Sequence, residues 1–112
     1  MDLTGTVVQG LGEGAAYVRK YDWRPLGFAP YPGTLNLHVA LAPDLSFPIT
    51  IPAPPGLHPV DCRLAKVNRR VDGAVVRPRK TAHGKQILEI LAPVNLRETL
   101  DLRDGDQVMV SV

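Results

Sequence analysis

The sequence predicts an all-β domain closed into a small barrel, and three observations carry that expectation. Short segments of alternating apolar and polar residues recur along nearly the whole chain, as half-buried strands require. Helical periodicity is almost absent. Eleven prolines and ten glycines punctuate the 112 residues, so no strand runs far before a turn. Short strands in so small a chain leave edges to protect, and closing the sheet on itself removes them.

Taken in order, "LTGTVVQ" (3 to 9) reads as a strand, and the glycine-rich "GLGEG" (10 to 14) as the turn of a hairpin whose second strand is "AAYVRKY" (15 to 21). "GTLNLHVAL" (33 to 41) alternates. "FPITIPAP" (47 to 54) is a β-rich run confined by its prolines to an edge. "VDCRLAKVN" (60 to 68), "GAVVRPRK" (73 to 80), "QILEILAP" (86 to 93) and "DQVMVSV" (106 to 112) complete the strands. "NLRETL" (95 to 100) is the one helical turn expected, with Asn95 placed to cap and Glu98 three residues on. "DGD" (104 to 106) is a strong turn signal.

Composition narrows the class. With 45% hydrophobic and 21% charged residues the chain is globular, and its length suits one domain spanning 1 to 112. It has no apolar run of membrane-spanning length and no basic-then-apolar leader, so a cytoplasmic protein is expected. The lone Cys62 has no intramolecular partner, and its strand-like flanks suggest a buried, inert thiol. A net charge of +2 allows an anionic ligand without marking a nucleic-acid binder. His38, His58 and His83 lack metal-ligand spacing, which argues against zinc.

Three stretches could carry chemistry. In Gly10 to Gly14, bare backbone lets N–H groups converge on an anion. On the loop alone the plainer reading is a hairpin turn. Thr34 and Asn36, two apart on a strand, share a polar face offering a hydroxyl and an amide oxygen. Such neutral donors suit a cation whose charge a nucleotide's phosphates balance, although a solvated face is the plainer reading. Glu89 lies between Ile87 and Leu91 on one strand face. Partial burial there raises a carboxyl toward the range of a general base. The alternative is an ion pair with Arg77, Arg79, Lys80 or Lys85. With Arg69 and Arg70 these form a loose basic cluster, but six aromatics and no stacking motif leave nucleic-acid binding unsupported.

Together, "GLGEG", "LGFAPYPGTLN", "DGAVVRPRKTAHGKQILEILAP" and "NLRETLDLRDGDQV" resemble the archaeal-type CTP-dependent riboflavin kinases. The match keeps motif order over most of the chain and is weakest from about 41 to 71. The resemblance implies a six-stranded cradle-loop barrel of the swapped-hairpin kind. It also implies transfer of the CTP γ-phosphate to the riboflavin 5′-hydroxyl, giving FMN and CDP. Gly10, Leu11, Gly12, Glu13, Gly14 and Ala15 then hold the nucleotide, with Val94, Asn95, Leu96 and Arg97 as a second nucleotide segment. Thr34 and Asn36 become Mg²⁺ ligands. Thr81 and Glu89 contact the flavin, and Glu89 orients the hydroxyl and takes its proton. Mg²⁺ is the expected cofactor, the partners are riboflavin/FMN and CTP/CDP, and a monomer is expected. The chain departs from the family's pattern at Ala15, where the resemblance implies arginine; this weakens CTP binding or shifts the charge role to Arg19, Lys20 or elsewhere. Two other classes are a flavin- or nucleotide-binding module without catalysis and, last, a DNA-binding barrel.

Overall fold

The structure is a computed structural model that describes residues 1–10, 12, 14–81 and 84–112. Seven antiparallel strands run through it: β1 (Asp2–Val8), β2 (Leu35–His38), β3 (Ile49–Ile51), β4 (Val60–Val67), β5 (Val71–Pro78), β6 (Ile87–Leu91) and β7 (Gln107–Ser111). Six of them close into a ring in the order β4-β5-β6-β2-β1-β7, and β7 returns to β4. The closure is narrow. β7 meets β4 in the two registered pairs Lys66–Ser111 and Val67–Val110, so the ring is not a regular barrel. β3 stands outside the ring, on the same edge of β4 as β7 but at the opposite end, pairing Ile51 with Val60 and Ile49 with Cys62. The all-β expectation holds and the ring has the six strands expected, with Ile49–Ile51 as a seventh strand outside it.

Strand alternation divides the core in two. Val7, Leu35, Leu37, Val67, Val75, Leu88, Ile90, Val108 and Val110 fill one cluster. The intervening residues Ala74, Val76 and Leu91 join Ile51, Val60 and Cys62 in a second. β5 is thus buried on both faces from Gly73 to Val76. Cys62 is fully buried, and burial pushes its thiol up to about 12, as an inert core thiol requires.

The segment after the glycine loop corrects one sequence expectation. Residues 15 to 21 are not the second strand of a hairpin. Gly14–Arg19 form a short helix, α1, and Arg24–Leu26 a 3₁₀ turn. Ala15 and Ala16 favour helix. Tyr17, Val18 and Tyr21 fall at helical spacing, and all three pack on the second core. Trp23 locks the arrangement: its indole N–H donates to the Val18 carbonyl at 2.7 Å, and its ring lies against Tyr17 and Tyr21. The expected helical turn near 95 is present as α2 (Leu96–Thr99), and the Asn95 side chain accepts from the Glu98 N–H at 3.2 Å.

Candidate active site

One row of side chains crosses three strands. Asn36 on β2 pairs in register with Glu89 on β6, which pairs with Val76 on β5. Residues opposite one another in an antiparallel ladder point to the same side. The row therefore places an amide and a carboxyl together on the outer side of the ring, the side that α1 covers. Thr34 lies one residue before β2, not within it, and the Asn36 amide nitrogen donates to its hydroxyl at 3.5 Å. The shared polar face expected of the two residues exists.

The glycine loop lies over that face. A Cβ on Gly10 would stand 2.5 Å from the Asn36 amide nitrogen, and one on Gly14 3.0 Å from the Thr34 hydroxyl. Those two glycines are required by close packing against Thr34 and Asn36. Gly12, at φ +81, has open space around it and serves the turn itself. Leu11 and Glu13 lie outside the described residues.

Beneath the loop is a cavity of about 410 Å³. Gly10, Gly12, Gly14, Ala15, Thr34, Asn36, Thr81, Glu89 and Arg97 all line it. A second cavity of about 180 Å³ is lined by Val94, Asn95, Leu96 and Arg97, and it shares Gly33, Thr34 and Arg97 with the first. Every described residue that the resemblance assigned to the site therefore borders one of two adjoining cavities. The halves of the site come from both ends of the chain: the glycine loop follows β1, and the second segment opens α2. Arg97 stands at the junction. Its guanidinium donates to Asp104 at 2.8 Å and to the Val8 carbonyl at 3.4 Å, which holds it between the two walls. The Asn95 oxygen is engaged in capping α2.

Electrostatics distinguish this cavity. Burial raises the Glu89 carboxyl to about 7, against a smaller opposing pull from Arg77. No ion pair among the described residues involves Glu89, so the paired alternative does not apply. The basic cluster is in fact dispersed: Arg79 pairs with Asp61 and Arg69 with Asp2, while Arg77 donates to the Lys85 carbonyl. Asn36, only 5% exposed, has a buried Oδ1 atom that accepts no hydrogen bond among the described residues. A buried acceptor without a donor is costly. Asn36 Oδ1 and the Thr34 hydroxyl are neutral oxygens of the kind a hard cation takes, and the Asn36 atom that faces Thr34 here is its amide nitrogen.

Gln9, Tyr17, Gly33, Pro78 and Lys80 also line the cavity without having been expected there, and two of them bear on its chemistry. Lys80 was assigned only to the general basic cluster, yet it borders the cavity along with Arg97, whereas Arg19 and Lys20 do not. The charge left out at Ala15 thus has neighbours just after β5 and on α2 rather than on α1. Tyr17 also lines the cavity, its hydroxyl buried and without a partner among the described residues. The aromatic pattern of Tyr17, Tyr21 and Trp23 was its only signal, and a strand assignment concealed it.

Comparison with known proteins bears on the site. The family model CTP-dep_RFKase, described as "Domain of unknown function DUF120", matches residues 7–112. A riboflavin kinase of Pyrococcus furiosus is 45% identical over 96% of this chain and 57% of its own length. One from Thermococcus kodakarensis is 41% identical over 98% of this chain and 58% of its own. One from Saccharolobus solfataricus is 31% identical over the whole chain and 74% of its own length. The chain thus spans a little under three fifths of the first two relatives. No helix among the described residues is long and apolar enough to cross a membrane.

Proposed function

The chain belongs to the CTP-dependent riboflavin kinase family, and we propose that it transfers the γ-phosphoryl group of CTP to the 5′-hydroxyl of riboflavin, giving FMN and CDP. The observation that supports this most is the placement of Glu89, with its raised carboxyl, in one cavity with the glycine loop and the unpartnered Asn36 oxygen.

In this reading the nucleotide lies along the loop from Gly10 to Ala15 and reaches the second cavity at Val94 to Arg97. Bare backbone at the glycines admits the triphosphate closely, and backbone N–H groups donate to it. Lys80 and Arg97 supply positive charge that Ala15 does not. Thr34 and Asn36 would hold Mg²⁺, which when bound would supply neutralisation of the phosphate charge. Thr81 and Glu89 face the flavin. Glu89 accepts a hydrogen bond from the 5′-hydroxyl and takes its proton as the new O–P bond forms. The bond between the γ-phosphorus and the β,γ-bridging oxygen breaks in the same step, and CDP leaves with that oxygen. A carboxyl near pH 7 is matched to this task, since it is ionised enough to accept and basic enough to hold the proton. Positioning and charge neutralisation account for most of the rest.

The test incubates the protein with riboflavin, Mg²⁺ and either CTP or ATP and resolves the flavins by chromatography. FMN formed with CTP and scarcely with ATP is the expected result. FMN with ATP alone retains the kinase and overturns the donor. Flavin binding with no FMN from any donor makes the chain a binding module and points to Ala15.

A further inference from the structure

We infer that the Tyr17 hydroxyl is a specificity contact of the acceptor site, reading the polyol chain of the alcohol substrate rather than its ring or the nucleotide. The inference rests on the kinase reading above and deepens it.

Two features of the molecule carry it. The first is the unmatched hydroxyl. The Tyr17 oxygen is buried, lacks a hydrogen-bond partner among the described residues, and belongs to a residue lining the same cavity as Glu89. A phenol placed only for packing does not need that oxygen, because phenylalanine fills the same space without stranding a donor. The second is the rigidity of its mounting. The ring meets Tyr21 edge-on at 5.5 Å and Trp23 at 5.8 Å, Trp23 is tied to the Val18 carbonyl, and Tyr21 donates to the His58 carbonyl at 2.6 Å. The hydroxyl therefore cannot turn away to find water without breaking an aromatic cluster. A polar group held in place by its neighbours and left unpaired is preorganised for a ligand atom.

Its position selects among ligands. Burial first, and then the charge of Glu89, oppose ionisation of the phenol, so Tyr17 stays a neutral donor facing the region of the carboxylate. The group that Glu89 addresses is the reacting hydroxyl. The neighbouring groups of a sugar-alcohol chain are further hydroxyls, each able to accept from a phenol. An isoalloxazine ring beyond that chain lies outside the reach of a contact made next to the reacting end.

Tyr17→Phe keeps the ring and removes the oxygen. Calorimetric titration of riboflavin, of lumiflavin (the same ring without the polyol) and of CTP into wild type and variant reads the assignment, with urea unfolding as control. Riboflavin affinity should fall about five- to tenfold, the worth of one neutral hydrogen bond. Lumiflavin and CTP should bind as before, and unfolding should shift little or toward greater stability. Equal riboflavin binding overturns the inference, as does an equal loss for lumiflavin, a loss confined to CTP, or a marked loss of folding stability. A wild-type protein that binds no flavin overturns the kinase reading itself, and this inference with it.

Discussion

Glu89→Gln exchanges a carboxyl for an amide of nearly the same shape in the middle of β6, and its effects on stability and on turnover should run in opposite directions. In the unfolded chain the carboxyl titrates near its ordinary 4.5; in the folded protein burial holds it at about 7. Between those values the unfolded state has lost a proton that the native state keeps, so native stability falls as pH rises. At about 1.4 kcal/mol per pH unit, the whole interval amounts to about 3 kcal/mol. Glutamine cannot ionise and has no such slope. The stability difference between variant and wild type should therefore be close to constant below pH 4, shift through pH 5 to 7, and level off by pH 8 about 3 kcal/mol further in the variant's favour than at pH 4. Urea unfolding at pH 4, 6 and 8, without metal or nucleotide, measures it. Other titrating groups such as Asp2 and Asp61 are common to both proteins and cancel. A difference that does not vary with pH refutes the burial argument. Turnover should meanwhile fall at least about 100-fold, as expected for loss of a general base, with CTP affinity nearly unchanged. Turnover retained in the variant removes the base assignment and leaves the kinase reading intact.

Other outcomes follow from the same geometry. Gly10→Ala places a methyl 2.5 Å from the Asn36 amide, so the loop must lift; KM for CTP should rise about tenfold or more, read by steady-state kinetics, while the ring itself stays folded. Asn36→Ala removes the unpartnered oxygen, and its activity should require a much higher Mg²⁺ concentration, measured by metal titration; an unaltered Mg²⁺ dependence excludes Asn36 as a ligand. Asn95→Ala strips the cap from α2 and should cost about 1 kcal/mol in urea unfolding.

Most strands were legible because their signal is local. Alternation in 60–67 or 107–111 is imposed by which residues face a core, and each short run carries it independently. The cap of α2 was legible for the same reason: Asn95 and the Glu98 N–H lie three residues apart. α1 was not. Six residues make less than two turns, too few for a period to emerge, and "AAYVRKY" alternates well enough to imitate a strand. Its conformation follows from Val18 and Trp23 reaching a second core made by β3, β4 and β5, which lie more than twenty residues away.

For the site the division is similar. Residue types and their order identified Thr34, Asn36 and Glu89 as a set, through resemblance to a family and through an acid set among aliphatic neighbours. The chain alone could not say whether that acid was paired or isolated, because Arg77, Arg79, Lys80 and Lys85 are all close in sequence. That was decided by register. β5 sends Arg79 to Asp61 on β4, while β6 sets Glu89 beside Asn36 on β2. Propensity, alternation and residue chemistry are local properties, and they were enough for most strands, for α2 and for the expectation that Thr34, Asn36 and Glu89 belong together. Ring closure, the adjoining of the cavities bordered by the loop and α2, and the burial of a tyrosine hydroxyl on a residue lining one of them were settled by packing alone. Those features depend on contacts between residues far apart in the chain, and burial, which sets the state of Glu89 and Tyr17, has no local signature.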